Sequence, residues 1–217
     1  MANGSPEILR RFGVKQLWYI CPLENVEGIL RLGILCHAEA HRRRVVKRRI
    51  DDPQVQVRRQ WAACDKTPTW LPDYVNLFLA EHTPMLYVKY KEGNRIAHLE
   101  VDSELLLEDG VLFSDGNCAC SDKRIHDNLQ QLEQLDWEAI RSVEPPADAT
   151  WGDRNREWVR KKSAEVLVPT CVPTKWLRGI HVEKDADRRR CSDAASRVGA
   201  AVPVSVSPGL YPSEEKG

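Results

Sequence analysis

Hydrophobic and polar positions alternate with the two-residue period of a strand from Asp73 to Leu79, where Val75, Leu77 and Leu79 interleave with Tyr74, Asn76 and Phe78. Both sets are bulky, which places this strand inside a sheet, where inward residues line a pocket as well as fill a core. The pattern breaks over Ala80–Pro84 and resumes at Met85-Leu86-Tyr87-Val88. That run reads as a second strand, residues 85–90, paired in a hairpin with Ile96–Val101 across the turn Lys91-Glu92-Gly93-Asn94. Upstream, Leu17–Cys21 reads as the first strand. Leu23, Val26, Ile29 and Leu30 then follow at helical spacing, and Gly33 stands where such a helix would stop.

Short apolar runs predict further strands at Val111–Phe113, Glu165–Pro169, Leu177–Val182 and Val202–Val206. Ile125, Leu129, Leu132, Leu135 and Ile140 predict an amphipathic helix over 124–141, ended by Pro145-Pro146, and helices are also expected within 154–164 and 188–197. Pro53 argues against one continuous helix through the basic segment 37–59. Thr67–Pro72 reads as a turn-rich loop leading into the central strand, a suitable place for a substrate-covering element. Strands outnumber helices and often follow one another through short turns, an α+β arrangement. The expected organisation is a flexible N-terminal arm over residues 1–14, one domain over 15–211 and a disordered tail over 212–217.

Charge sharpens this picture only locally. Lys plus Arg and Asp plus Glu are equal at 32 each, so the overall balance names no partner. Arg42, Arg43, Arg44, Lys47, Arg48, Arg49, Arg58 and Arg59 nonetheless crowd one segment, which is either a solvated basic face or a surface for a polyanion. The sequence has no apolar run long enough to span a membrane and no secretory hydrophobic block, so a cytoplasmic protein without a membrane partner is expected. Seven cysteines are irregularly spaced, and the Cys118-x-Cys120 pair, even with His126 and His98 in the neighbourhood, lacks the spacing of a zinc knuckle. Reduced thiols and no metal are expected. Neither a Rossmann fingerprint nor a P-loop occurs.

Candidate chemistry rests on few residues. Glu165 opens an otherwise apolar strand, either facing solvent at a sheet edge or held at the mouth of a cleft. Arg59, like its neighbour Arg58, is either a surface charge or a phosphate clamp. Tyr19 and Phe78 fill the core or stack a flat heterocycle. The histidines have no catalytic spacing with any Cys or Ser, so a nucleophilic triad has little support.

Several stretches together resemble the DarT family of NAD-dependent DNA ADP-ribosyltransferases, the toxin half of toxin–antitoxin pairs. They are Leu17-Trp18-Tyr19-Ile20-Cys21-Pro22-Leu23-Glu24-Asn25-Val26-Glu27-Gly28-Ile29-Leu30, Val55–Arg59, Asp73–Leu79 with Thr83-Pro84-Met85-Leu86-Tyr87, Ala164–Val168, and Pro203–Val206 through Tyr211. The resemblance implies an ADP-ribosyltransferase fold with a split central sheet flanked by helices. It implies NAD as a substrate and transfer of ADP-ribose to a nucleobase of single-stranded DNA. A macrodomain antitoxin is the implied protein partner. Glu165 matches the family's catalytic glutamate, expected to orient the ribose, stabilise the oxocarbenium-like cation and assist deprotonation of the acceptor. Arg59 matches the catalytic arginine. Tyr19, Cys21, Asn25, Gly28 and Phe78 fall on the cofactor-binding positions. Tyr19 stands where the family has a histidine, Cys21 where a hydroxyl residue is usual, and no family-type histidine stands in register near Asp122-Lys123-Arg124. The basic loop over 42–59 is expected to hold phosphates around an unstacked base. Two other functions fit the same scaffold: an NAD glycohydrolase or a transferase acting on a small nucleoside-type molecule or RNA, and a catalytically silent nucleic-acid-binding relative.

Overall fold

The computed structural model describes residues 6–61, 70–143 and 153–212. In chain order its elements are α1 (Pro6–Arg11), β1 (Gln16–Pro22), α2 (Val26–Leu32), β2 (Ile34–Leu35), α3 (His37–Arg42), α4 (Pro53–Trp61), β3 (Tyr74–Phe78), α5 (Pro84–Lys91), β4 (Ile96–Asp102), β5 (Leu112–Ser114), β6 (Ile125–His126), α6 (Trp137–Arg141), α7 (Asp153–Lys162), β7 (Glu165–Pro169), β8 (Cys171–Val172), β9 (Leu177–Val182), α8 (Asp185–Val198) and β10 (Val204–Val206). The fold is α+β, as expected. An eight-stranded sheet runs β10-β9-β4-β1-β3-β7-β5-β6, and β2 and β8 form a small separate ladder. Among the described residues, β9 and β10 pair in parallel and the other neighbours in the large sheet are antiparallel.

The sheet is split at its centre. β1 pairs with β4 over seven positions, Gln16↔Asp102 to Pro22↔Ile96. β3 pairs with β7 over five, Tyr74↔Pro169 to Phe78↔Glu165. Between the two halves, β1 and β3 share the single pair Trp18↔Phe78. Beyond that pair the strands diverge, which lets side chains from both faces of β1 reach one opening. Leu17, Leu77, Leu99, Val101, Val166 and Ile180 fill the main core on one face, while Trp18, Phe78, Leu86, Ile96 and Tyr211 pack a second cluster on the other.

Three expectations are corrected. Residues 84–91 are helix α5, not the strand of a hairpin, and β4 instead pairs with β1 and β9. Thr83 caps the helix, its Oγ accepting from Leu86 N at 3.0 Å, and Pro84 occupies the first turn where its missing N–H costs nothing. The single helix over 124–141 is absent. β6, a 3₁₀ turn over Leu129–Gln134 and α6 replace it, because Leu129, Leu132 and Leu135 recur every three residues, the 3₁₀ period. Within the expected loose arm, residues 6–11 form α1, whose Ile8 and Leu9 are buried in the main core. The remainder of that arm, residues 1–5, lies outside the described residues, as do 62–69 of the loop region and 213–217 of the expected tail.

Gly33 ends α2 with φ +83°, and a Cβ there would lie 2.5 Å from the Val172 carbonyl oxygen and 2.9 Å from Cys171 Sγ. The position therefore requires glycine twice over, for its backbone conformation and for the close approach of β8. Gly33→Ala should destabilise the fold by about 2–3 kcal/mol, measurable as a lowered midpoint in chemical denaturation.

Candidate active site

The divergence of β1 from β3 opens a cleft of about 480 Å³. Its floor is the start of β7 beside β3, and one side is α2 with the segment joining α3 to α4. The other lip is α5, which presents Pro84, Met85, Val88 and Lys89. All seven residues singled out from the sequence, Tyr19, Cys21, Asn25, Gly28, Arg59, Phe78 and Glu165, line this one cleft.

Glu165 sits on the floor with 3% of its surface exposed, and Arg59 with 7%. Arg59 arrives from α4 and donates Nη1 to Glu165 Oε1 at 3.3 Å and Nη2 to Oε2 at 3.2 Å, a two-point contact. A buried charge is tolerated only when paired, so each residue is the condition for the other. Burial pulls the Arg59 guanidinium down, yet the Glu165 carboxylate overrides it and holds Arg59 above its ordinary range. Asn76, on the same face of β3 as Phe78, donates Nδ2 to Glu165 Oε2. Three donors thus converge on one carboxylate. The Glu165 backbone is fixed as well, since its N–H donates to Ser114 Oγ at 3.1 Å, while that hydroxyl donates to the Gly116 carbonyl at 2.6 Å. Cys118 is fully buried beside this group, and burial together with the Glu165 charge pushes its thiol well above the ordinary range.

Asn76 and Ser114 were missed from sequence. The signal for Asn76 was present, an amide in the middle of an apolar strand bound for the interior, which needs a buried partner. Ser114 had no such signal.

Tyr19 and Cys21 project from the face of β1 opposite Trp18 and enter the cleft only because the sheet is split there. Burial pushes both the Tyr19 phenol and the Cys21 thiol upward, so neither is an anion near neutrality. Gly28 lies on the cleft side of α2, and a Cβ there would find Val45 O as its nearest contact, at 4.0 Å. Asn25 points at the basic segment, where its side chain bonds the backbone of residues 47 and 48. The basic residues themselves are partly engaged within the chain. Arg42 and Arg43 bond Glu39, Arg49 bonds Asp51, and Arg48 bonds Asn94. The His37 and His41 rings lie 4.3 Å apart, tilted by 43°, on α3 at the cleft margin, where burial and the neighbouring His41 lower the His37 pKa.

These residues fit a dinucleotide. The cleft combines aromatic walls at Tyr19 and Phe78, close backbone at Gly28, guanidinium and imidazole groups along one side and a carboxylate at its floor. Among the described residues, no cluster of three or more His, Cys, Asp or Glu is placed to hold a metal ion.

The split α+β sheet with this cleft superposes on solved DarT structures, which places the chain in the class of ADP-ribosyltransferases. The family model described as ssDNA thymidine ADP-ribosyltransferase, DarT, matches residues 18–212, and the chain belongs to that family. A DNA ADP-ribosyl transferase of Thermus sp. (strain 2.9) is 32% identical over 177 residues, covering 76% of this chain and 80% of that protein. A DNA ADP-ribosyl transferase–DNA ADP-ribosyl glycohydrolase fusion protein of Thermosipho africanus (strain H17ap60334) is 28% identical over 172 residues, covering 77% of this chain. The match spans 42% of that fusion protein, less than half its length. Among solved structures, Thermus sp. 2.9 DarT in complex with ADP-ribosylated ssDNA superposes with a TM-score of 0.80 at 26% identity, over 92% of this chain and 97% of that one. The same Thermus protein in complex with carba-NAD+ gives a TM-score of 0.75 at 25% identity, over 92% and 98% of the two chains.

Proposed function

We propose that this chain transfers ADP-ribose from NAD to the thymidine base of single-stranded DNA, with Glu165 and Arg59 as its catalytic residues. The observation that carries the assignment is the convergence of Arg59 and Asn76 on the Glu165 carboxylate at the floor of the cleft, in a chain of the DarT family. NAD supplies the ADP-ribosyl group and a neutral leaving group. Departure of nicotinamide leaves positive charge at the sugar, so a carboxylate held by preorganised donors is the group the reaction needs. Asn76 and Arg59 keep Glu165 in one orientation, and Glu165 also takes up the acceptor's proton. Tyr19 and Phe78 supply flat surface for the nicotinamide end, and Cys21 and Gly28 let the ligand approach β1 and α2 closely.

Single-stranded DNA fits the outer surface. Tyr87 and Val88 are exposed on the α5 lip, with Lys91 Nζ 5.3 Å from the Tyr87 ring centre, while the 42–59 segment lies across the opening. Exposed rings beside cations are how proteins hold unstacked bases without reading sequence. The Thermosipho relative, which joins a transferase to a DNA ADP-ribosyl glycohydrolase, supports a reversal partner of the macrodomain kind and hence a toxin role in the cytoplasm. Among the described residues no helix is long and apolar enough to cross a membrane.

The test is mass spectrometry of a thymidine-containing oligonucleotide incubated with NAD and the purified chain, with Glu165→Gln as control. The oligonucleotide should gain one ADP-ribosyl group, and a thymidine-free oligonucleotide should not. Free ADP-ribose without modified DNA would replace the assignment with NAD hydrolysis.

A further inference from the structure

Asn25 was expected to touch the cofactor, yet its side chain is committed elsewhere. Its Oδ1 accepts from the backbone N–H of both Lys47 and Arg48, each at 3.0 Å, and its Nδ2 donates to the Arg48 carbonyl at 2.7 Å. Both lone pairs of the amide oxygen are thereby used. The three bonds join the start of α2 to a segment more than twenty residues away that has no helix or strand of its own.

That segment is a wall of the cleft. It leaves α3 through Arg44 in the left-handed region, φ +55°, with Val45 N donating back to Ala40 O at 3.2 Å. Val45, Val46, Arg48, Arg49 and Ile50 then line the opening. Among the described residues, the segment's other side-chain ties to the rest of the fold are Arg48 Nη2 to Asn94 Oδ1, an exposed contact at 3.0 Å, and Ile50 at its far end, which packs against the second cluster; Lys47 and Arg48 between them are held chiefly by Asn25. Such a segment, with backbone groups turned to solvent, opens locally at little cost unless a side chain replaces the missing ladder.

We propose that Asn25 is a positioning residue, a latch that holds residues 45–50 against α2 so that they form a fixed wall for the bound dinucleotide. The inference rests on the functional reading above and adds to it a role for Asn25 that works through the segment and not by contact with NAD. Ordering the wall in advance removes a conformational cost from binding, so the latch acts on NAD affinity more than on the chemical step.

Two variants and two readouts test it. Asn25→Ala removes all three bonds, while Asn25→Asp keeps the oxygen that accepts from both amides. Amide hydrogen exchange should show Lys47 and Arg48 protected in the native chain and in Asn25→Asp. In Asn25→Ala that protection should fall by about tenfold or more while exchange in the sheet is unchanged. KM for NAD should rise about tenfold in Asn25→Ala with a much smaller fall in kcat, and Asn25→Asp should recover most of the loss. Loss of protection with an unchanged KM would overturn the proposal. Two protected amides in Asn25→Asp with a KM as poor as in Asn25→Ala would also overturn it, in favour of direct contact between the amide and the cofactor. If the native chain neither binds nor consumes NAD, the functional reading itself fails. The exchange measurement distinguishes that outcome, because it reports the latch without NAD.

Discussion

Glu165→Gln should lower ADP-ribosyl transfer by about 10³-fold or more while leaving the chain folded. The substitution keeps the side chain's size and removes its charge, so the sugar cation loses the anion that faces it. It also disturbs the ground state. Arg59 Nη1 and Nη2 and Asn76 Nδ2 all donate to the Glu165 oxygens, and a glutamine can present only one acceptor oxygen to them. Its NH₂ must then oppose at least one donor, and the buried Arg59 guanidinium is left without its counter-ion, at a combined cost of about 3–5 kcal/mol in stability. The prediction therefore has two parts, near-complete loss of modified oligonucleotide by mass spectrometry and a lowered but still cooperative unfolding transition. Retention of a tenth of the native rate would remove Glu165 from the catalytic role. Wild-type stability alongside lost activity would mean that the three donors are less committed to the carboxylate than their convergence indicates.

How much of this site was legible depends on which residue is considered. Glu165 stood out as the carboxylate that opens an otherwise apolar strand and Phe78 as an aromatic on a cleanly alternating one, and the structure places them opposite one another in the β3–β7 register. Arg59 could not be separated from Arg58 by pattern alone, since both lie in the same basic run. Only the fold shows that Arg59 turns inward to a partner 106 residues away while Arg58 stays exposed. Family resemblance supplied what periodicity lacked there. α5 was misread because Met85–Val88 is too short an apolar run to distinguish period two from period 3.6. The deciding marks were Thr83 and Pro84, a cap and a first-turn proline, which are local signals independent of period. The 124–141 stretch failed for the opposite reason, as its leucines do repeat, but every third residue. The role of Asn25 was out of reach, because its partners are backbone groups, and no side-chain pattern encodes a backbone position.

Acidification should destabilise the fold through His98, far from the chemistry. This side chain is completely buried on β4, with its ring 4.5 Å from Trp18 and His181 opposite it on β9. Neither of its ring nitrogens has a hydrogen-bond partner among the described residues. Burial, followed by the nearby His181 and His82, lowers its pKa from 6.5 to about 3. His181 is itself held by Glu100 Oε2 at 3.1 Å and Ser205 Oγ at 2.9 Å, so the carboxylate closest to this cluster is already engaged. The sign follows from proton binding. Below pH 6.5 the unfolded chain gains a proton at His98 that the folded chain refuses, so folding is unpenalised above that pH and loses about 1.4 kcal/mol per unit below it, levelling off near pH 3. The full span is about 5 kcal/mol, comparable to the whole stability of many domains. Carboxylates paired in the native state add their own acid sensitivity lower in the range, so the informative quantity is a difference between two chains. His98→Leu replaces two unpaired polar atoms with apolar surface and should flatten the curve by about 2 kcal/mol between pH 6.5 and 5, measured by chemical denaturation at each pH. Parallel curves for the two chains would show that His98 is hydrated or paired in solution, and the acid sensitivity would then belong to other groups.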